Sequence, residues 1–395
     1  MDRSLEGLRI VLVGQYDRMG GTRTYFKQLV DFYLSQQVHL LVVTDGPKLD
    51  PEMQGFLAIR GVCHQDLNLE SRWNDFASAP FLSQKRIARN LQMESELFSE
   101  IARSHDANLL VASVGNPGSL LGALHAVDRS LYIVHTYPHG VRSEIMSRRL
   151  MPQAFPTSAR LITVSHFSRT RIMKKWRFDR GNQNIDIDVV YSTVGPVLLE
   201  STRVRDSSTI LTVGHLEEYK DPRGWIQTAS EVLRQTGHEQ TQFIWLGEGS
   251  LLEDCQRRVR KLSLGNQIHF LGLKQEVEQY YQDCAIYFQP SRVESLGLGV
   301  LDAARHGVPA VVTCVGGLPE VVKSGNTGVV YSLDSKGGAA DAIVSLLKDP
   351  DRRGWMGVNS RQMYSERFSP QAWESDLRQV HLNALTHSLK ITRDL

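Results

Sequence analysis

Cysteine is scarce in this 395-residue sequence, and the four present, Cys63, Cys255, Cys284 and Cys314, lie far apart. They form neither a CxxC pair nor the dense framework of a disulfide-stapled domain, so free thiols in a reducing compartment are expected. Long apolar runs are also missing: no stretch reaches the roughly 18 residues that a spanning helix requires. The opening MDRSLEGLRIVLVG has a short apolar run that ends in a glycine turn instead of a signal-peptide cleavage site. A cytoplasmic location is expected, with peripheral contact at the inner membrane face left open. Charge of one sign is lacking, since 45 Lys and Arg against 43 Asp and Glu leave a net charge of +2. That balance argues against nucleic acid as a partner. No DxD or HExxH cluster stands in a setting that would hold a metal, and none is expected.

What is present is an ordinary globular composition, 41% hydrophobic and 22% charged, in a chain long enough for two cores. Short apolar strands recur at 8–14, 39–44, 108–114, 131–136 and 159–165, with 185–194 as the last strand or a crossing segment. Each is apolar nearly throughout instead of alternating, as expected where helices cover both faces of a parallel sheet. The rhythm repeats at 208–214, 242–249, 268–272, 286–291, 309–313 and 328–331. Helical stretches between most strands imply crossover connections. The reading is α/β: an N-terminal Rossmann-like domain over 1–195, a polar linker over 196–208 and a second Rossmann-like domain over 209–367. A helical tail over 368–395 is expected to pack across the domain junction. Ligands in such sheets bind beyond the carboxyl ends of the strands, so two facing domains would place their sites along a shared cleft.

Residues 286–307, IYFQPSRVESLGLGVLDAARHG, read as strand, loop and helix. Glu294 falls in the loop, and SLGLG opens the helix with free N–H groups and a positive dipole end, which suits an anion. Asp302 follows about 12 Å further along if the helix were continuous. That spacing suits hydroxyl-bearing groups at opposite ends of a diphosphate: a sugar at Glu294, a ribose at Asp302 and phosphates between them. Each residue also has a bland role, Glu294 as a first-turn acid and the Gly316–Gly317 pair as an ordinary turn.

The combination of ESLGLGVLD, GVPAVV and GGLPE resembles the retaining glycosyltransferases of the GT-B fold, family 4, also called glycosyl transferases group 1. Their signature is a glutamate, seven residues and a second glutamate, followed by GVPVV and GG(I/L)PE. Asp302 stands where the family usually has the second glutamate. The resemblance implies that Glu294 contacts the hydroxyls of the transferring sugar. It also implies that the backbone at Leu296, Gly297 and Leu298 meets sugar and phosphate, and that Asp302 binds ribose. The segment ILTVGHLEEYKDPRG matches the family's basic clamp, with Lys220 as its lysine and His215 in place of its arginine. His215 loses the bidentate fork that arginine offers a phosphate; Arg223 is the candidate to restore that charge. Gly247 and Gly249 in LGEG resemble the family's GxG near the nucleotide, and the backbone at Leu273 or Lys274 is expected to read the nucleobase edge.

In the first half, Gly20 and Gly21 match a double-glycine loop that the family places near donor phosphates and acceptor. Arg23 and Thr24 stand at the following helix start, available to an anion. His135, at the end of a strand, matches a histidine near the transferring sugar, and His139 is a weaker candidate. The basic segment SHFSRTRIMKKWRF at 165–178 suits anionic lipid, a charged acceptor or simply water.

The implied activity is transfer of a sugar from a nucleoside-diphosphate sugar, with UDP-sugar preferred, to an acceptor hydroxyl with retention of anomeric configuration. Glu294, His135 and Lys220 are its expected catalytic residues. The donor is a substrate, and no separate cofactor is implied. The acceptor is left open among a glycan, a lipid-linked glycan, a small molecule and a protein. Alternatives are a nucleotide- or glycan-binding protein without turnover, and a glycoside phosphorylase. A dinucleotide-dependent oxidoreductase is disfavoured because VGQYDRMGG is not a GxGxxG turn.

Overall fold

A computed structural model of the chain describes residues 4–14, 20–45, 49–67, 84–115, 118–137, 151, 154–178, 185–198, 207–237, 240–335 and 337–391. The chain forms two compact units, Met1–Tyr191 with Glu374–Leu395, and Ser192–Trp373.

The first unit is built on a parallel sheet of β1 (Arg9–Gly14), β2 (His39–Asp45), β3 (Cys63–Leu67), β4 (Leu109–Val114), β5 (Ser130–Val134), β6 (Ala159–Thr163) and β7 (Ile187–Val189). Their order is β3-β2-β1-β4-β5-β6-β7, and every pair is parallel. The central strands carry apolar residues on consecutive positions, and Ile10 to Val13, Leu109 to Ala112 and Leu131 to Val134 are wholly buried. Burial on both faces explains the lack of alternation. β3 has no such pattern: CHQDL sits at the sheet edge with its first four residues exposed. The C-terminal helix Pro370–Ile391 returns to this unit. There the buried His381 accepts at Nε2 from the Tyr33 hydroxyl at 2.7 Å, while its Nδ1 donates to the Leu377 carbonyl at 2.7 Å.

The second unit holds β8 (Thr209–Val213), β9 (Gln242–Leu246), β10 (Ile268–Phe270), β11 (Ile286–Gln289), β12 (Ala310–Thr313) and β13 (Gly328–Tyr331). The order β10-β9-β8-β11-β12-β13 is again all parallel. Trp225 and Trp245 meet edge to face at 5.3 Å in its core. Both indoles keep a partner there: Trp225 donates to Thr212 Oγ1 at 2.7 Å and Trp245 to the Gly214 carbonyl at 2.8 Å. Buried indole N–H groups that are bonded fix the ends of β8 without a desolvation penalty.

In each sheet the strand order reverses direction once, between β1 and β4 and between β8 and β11. Loops leaving the carboxyl ends of those strands diverge there and open a crevice. The segments after β1, β8 and β11 carry Gly20–Gly21, Lys220 and Glu294 respectively. Among the described residues no helix is long and apolar enough to cross a membrane.

Candidate donor site in the second unit

The loops after β8, β9 and β10 are laced together by backbone hydrogen bonds. Gly214 N–H donates to Leu246, Leu216 to Glu248, and Gly247 to Gly272, each at 2.9 Å. Gly247 has φ 137°, and a Cβ there would lie 2.1 Å from the Gly214 carbonyl oxygen. The glycine is therefore demanded by protein packing, and the space beside it is already filled. Gly249 is in the same position against the Leu216 backbone, 2.5 Å away. Leu273, in the loop after β10, is 45% exposed.

Lys220 ends a short 3-10 turn, Glu218–Lys220, after β8. Asp221 follows in the left-handed region at φ 52° and caps the helix Pro222–Thr236 by accepting from Gly224 N–H at 3.1 Å. The turn is tied to the loop after β11, because Arg292 N–H donates to the Tyr219 carbonyl at 2.8 Å. As a result Lys220 Nζ lies 2.5 Å from Glu294 Oε2. Two further donors reach the same oxygen, Gln289 Nε2 at 2.5 Å and Ser291 Oγ at 3.4 Å. Among the described residues no hydrogen bond is made to Oε1. One carboxylate oxygen thus anchors the side chain.

Gln289 and Ser291 were not among the residues picked out by motif. A signal existed, since a glutamine ending the apolar run IYFQ must find partners once buried, and Gln289 is 2% exposed. The Gly316–Gly317 pair closes over the same loop. Gly316 has φ 59°, and a Cβ there would fall 1.6 Å from the Glu294 carbonyl oxygen. Backbone packs against backbone here, so only glycine fits.

The helix begins at Leu298, not at Ser295, and runs Leu298–Arg305 after Gly297, with no side chain capping it. Its first N–H groups have no intrahelical acceptor and favour an anion. Leu296 is buried. The continuous-helix spacing between Glu294 and Asp302 does not hold, because Glu294 lies on an irregular loop and Asp302 is only the fifth helical residue. Asp302 Oδ1 sits 3.3 Å from Arg305 Nε, and Arg305 Nη2 pairs with Glu278 at 2.9 Å. Burial pushes the Asp302 carboxyl up to about 7, against the attraction of Arg305 and with repulsion from Glu278. His215 is exposed, and its Nδ1 meets the Tyr219 hydroxyl at 3.2 Å.

Two expectations are corrected. Arg223 does not restore the missing clamp charge: its guanidinium pairs with Asp254 at 2.9 Å and Glu218 at 3.1 Å. Arg23 is not available to an anion either. It is buried, with a bidentate pair to Asp50 and a contact to Glu52 at 3.0 Å. Arg23 in turn holds the Asp50 carboxyl far below the usual carboxylate range.

In the first unit, exposed Gly20 precedes the helix Gly21–Ser35, which also starts without a side-chain cap. His135 follows β5, with Nε2 2.9 Å from Ser113 Oγ and its ring edge-on to Tyr25 at 4.5 Å. Burial lowers its pKa to about 4, so the imidazole is neutral near pH 7. His139 and linker residues 199–206 lie outside the described residues.

Two parallel Rossmann-like sheets with a long C-terminal helical region make the GT-B fold. A glycosyltransferase from Rickettsia africae aligns with a TM-score of 0.75 at 14% identity, covering 96% of this chain and 99% of that one. Alr3699/HepE from Anabaena, solved in complex with UDP and glucose, aligns at 0.72 and 16% identity, covering 95% of this chain and 100% of that one. Residues 200–363 match the family described as glycosyl transferases group 1. A D-inositol 3-phosphate glycosyltransferase of Corynebacterium aurimucosum is 26% identical over 62% of this chain and 61% of its own length. The N-acetyl-alpha-D-glucosaminyl L-malate synthase of Bacillus anthracis is 25% identical over 51% of this chain and 55% of its own length. The chain thus spans less than two thirds of each of these two curated relatives.

Proposed function

We infer that the chain transfers a sugar from a nucleoside-diphosphate sugar to an acceptor hydroxyl, with retention of anomeric configuration. The observation that carries this is the Glu294 carboxylate, held through Oε2 by Lys220, Gln289 and Ser291, with no bond to Oε1 among the described residues, beside a helix start that no side chain caps. A fixed carboxylate acceptor suits sugar hydroxyls. Lys220 gives one of its three N–H bonds to Glu294 and has others for a phosphate. The N–H groups near Leu298 add neutral donors for the same anion. Together they stabilise the charge that develops on a departing diphosphate, the step where a preorganised site contributes most. The acceptor then attacks from the face the diphosphate leaves, and the phosphate takes up the acceptor's proton. Asp302 is assigned to the ribose. The second unit is the donor side, and the first, with Gly20, Gly21 and His135, is the acceptor side.

UDP is the preferred nucleotide, supported by the UDP complex of the Anabaena relative. The helix His166–Lys175 buries Ile172 and exposes Arg169, Arg171 and Lys174. That cationic face suits anionic lipid, and co-sedimentation with phosphatidylglycerol vesicles at low and high salt tests it.

The test of the main reading is a panel of UDP-, GDP-, ADP- and dTDP-sugars with release of nucleoside diphosphate recorded for wild type and Glu294→Ala. Release that falls sharply in the variant supports transfer and names the donor. Nucleotide binding without turnover across an acceptor panel supports a binding protein instead. Cleavage of a finished glycoside by inorganic phosphate supports a phosphorylase.

A further inference from the structure

Tyr219 is a large aromatic residue left 39% exposed in the middle of the 3-10 turn before Lys220. The core does not hold it, so its position must come from specific contacts. Its hydroxyl lies 3.2 Å from His215 Nδ1. The Lys220 ammonium stands over its ring, 5.6 Å from the centroid, within range of a cation–π attraction. Its carbonyl accepts from Arg292 N–H at 2.8 Å and Val293 N–H at 3.3 Å, on the segment that leads into Glu294. One residue therefore contacts His215 and Lys220 directly and joins the backbone segment that carries Glu294. Any residue can make the backbone bonds. Only tyrosine supplies the hydroxyl and the ring together.

The hydroxyl matters because a neutral imidazole has one donor and one acceptor nitrogen, and a bond at one nitrogen fixes the role of the other. When the phenol donates to Nδ1, the ring proton resides on Nε2, and Nε2–H is then a donor suited to a phosphate oxygen. An arginine needs no such help, because its guanidinium is always a donor. His215 does need it.

We propose that Tyr219 is a positioning residue for the diphosphate of the donor: its phenol fixes His215 as an Nε2–H donor, and its ring face holds Lys220. The assignment rests on the donor reading given above and extends it to a residue that acts through His215 and Lys220. Tyr219→Phe removes only the hydroxyl, while Tyr219→Ala also removes the ring.

Two measurements test it. In 15N-labelled protein, long-range 1H–15N spectra report the His215 ring nitrogens, assigned by their loss in His215→Ala. A ring protonated at Nε2 in wild type and redistributed between tautomers in Tyr219→Phe is expected. Titration with UDP, GDP, ADP and dTDP gives the second readout. Tyr219→Phe is expected to weaken binding of the preferred nucleotide roughly threefold to tenfold, the range for one lost hydrogen bond. The double variant Tyr219→Phe, His215→Ala should bind no more weakly than His215→Ala alone, and Tyr219→Ala more weakly than Tyr219→Phe. Equal thermal unfolding of Tyr219→Phe and wild type separates positioning from stability. Unchanged tautomer and affinity in Tyr219→Phe, or additive losses in the double variant, overturn the role of Tyr219 alone. If wild type binds none of the four nucleotides, the donor reading falls and this inference with it.

Discussion

Lys220 Nζ and Glu294 Oε2 lie 2.5 Å apart although 74 positions separate them in the chain. Their side chains are 16% and 13% exposed, so the pair is partly desolvated and more than a surface contact. Lys220→Met removes the cation from the anchored carboxylate and, on the proposed function, from the diphosphate at once. Transfer rate is expected to fall about 100-fold or more, the scale for losing one donor to developing charge. Steady-state kinetics check this, and a loss confined to stability with normal turnover would contradict it.

Gly316→Ala places a methyl group where the Glu294 carbonyl oxygen now sits, at a residue with φ 59°. The loop must shift, and the shift moves Glu294. Destabilisation of at least about 1 kcal/mol is expected from the backbone conformation alone, with additional loss from the clash. Activity should fall more than tenfold even where the protein remains folded, because positional errors of about an ångström at a reacting site are that expensive. Chemical unfolding and turnover measured on the same sample distinguish the two effects.

Arg223 supplies the opposite control. Its guanidinium is engaged by Asp254 and Glu218. Arg223→Ala is expected to leave the KM for the donor within about twofold of wild type, since a surface ion pair contributes at most about 1 kcal/mol to stability and none to the phosphates. A tenfold rise in KM would return Arg223 to the clamp.

The pH dependence of stability has a defined sign at Asp302. Its folded pKa is raised from 3.8 to about 7 by burial. A folded value above the unfolded one means that the favourable contribution is fully present below about pH 4 and is lost as pH rises through 7. Asp302→Asn lacks that titration, so its stability relative to wild type should climb across pH 4 to 7 and then level off. His135 and His381 act in the reverse sense, because burial lowers each from 6.5 to about 4. Their contribution is present above pH 6.5 and is lost as pH falls toward 4. Urea unfolding of wild type and Asp302→Asn at half-unit intervals isolates the carboxyl; a constant difference between them would contradict its burial.

The apolar runs made most strands legible because central parallel strands cannot alternate. β3 was not, and the reason is physical: an edge strand such as CHQDL is exposed and carries no apolar code. At the site, the motif brought out Glu294 and Lys220, and the fold joins them. It did not reveal that Arg23 and Arg223 are already neutralised, since Asp50 and Asp254, which pair with them, lie 27 and 31 positions away. Gln289 and Ser291 match no motif for a related reason. Polar residues at the end of an apolar strand have no periodicity, and only the loop conformation shows what they hold.

The most direct test of the central claim is product analysis by NMR with the donor and acceptor found in the nucleotide-sugar panel, comparing wild type with Glu294→Gln. Glutamine keeps the shape of the side chain and removes the anion that Lys220, Gln289 and Ser291 hold. The expected result is a new glycoside with the anomeric configuration of the donor, formed by wild type and at least about 100-fold more slowly by the variant. An inverted product, or equal rates for the two proteins, would contradict the role assigned to the Glu294–Lys220 site.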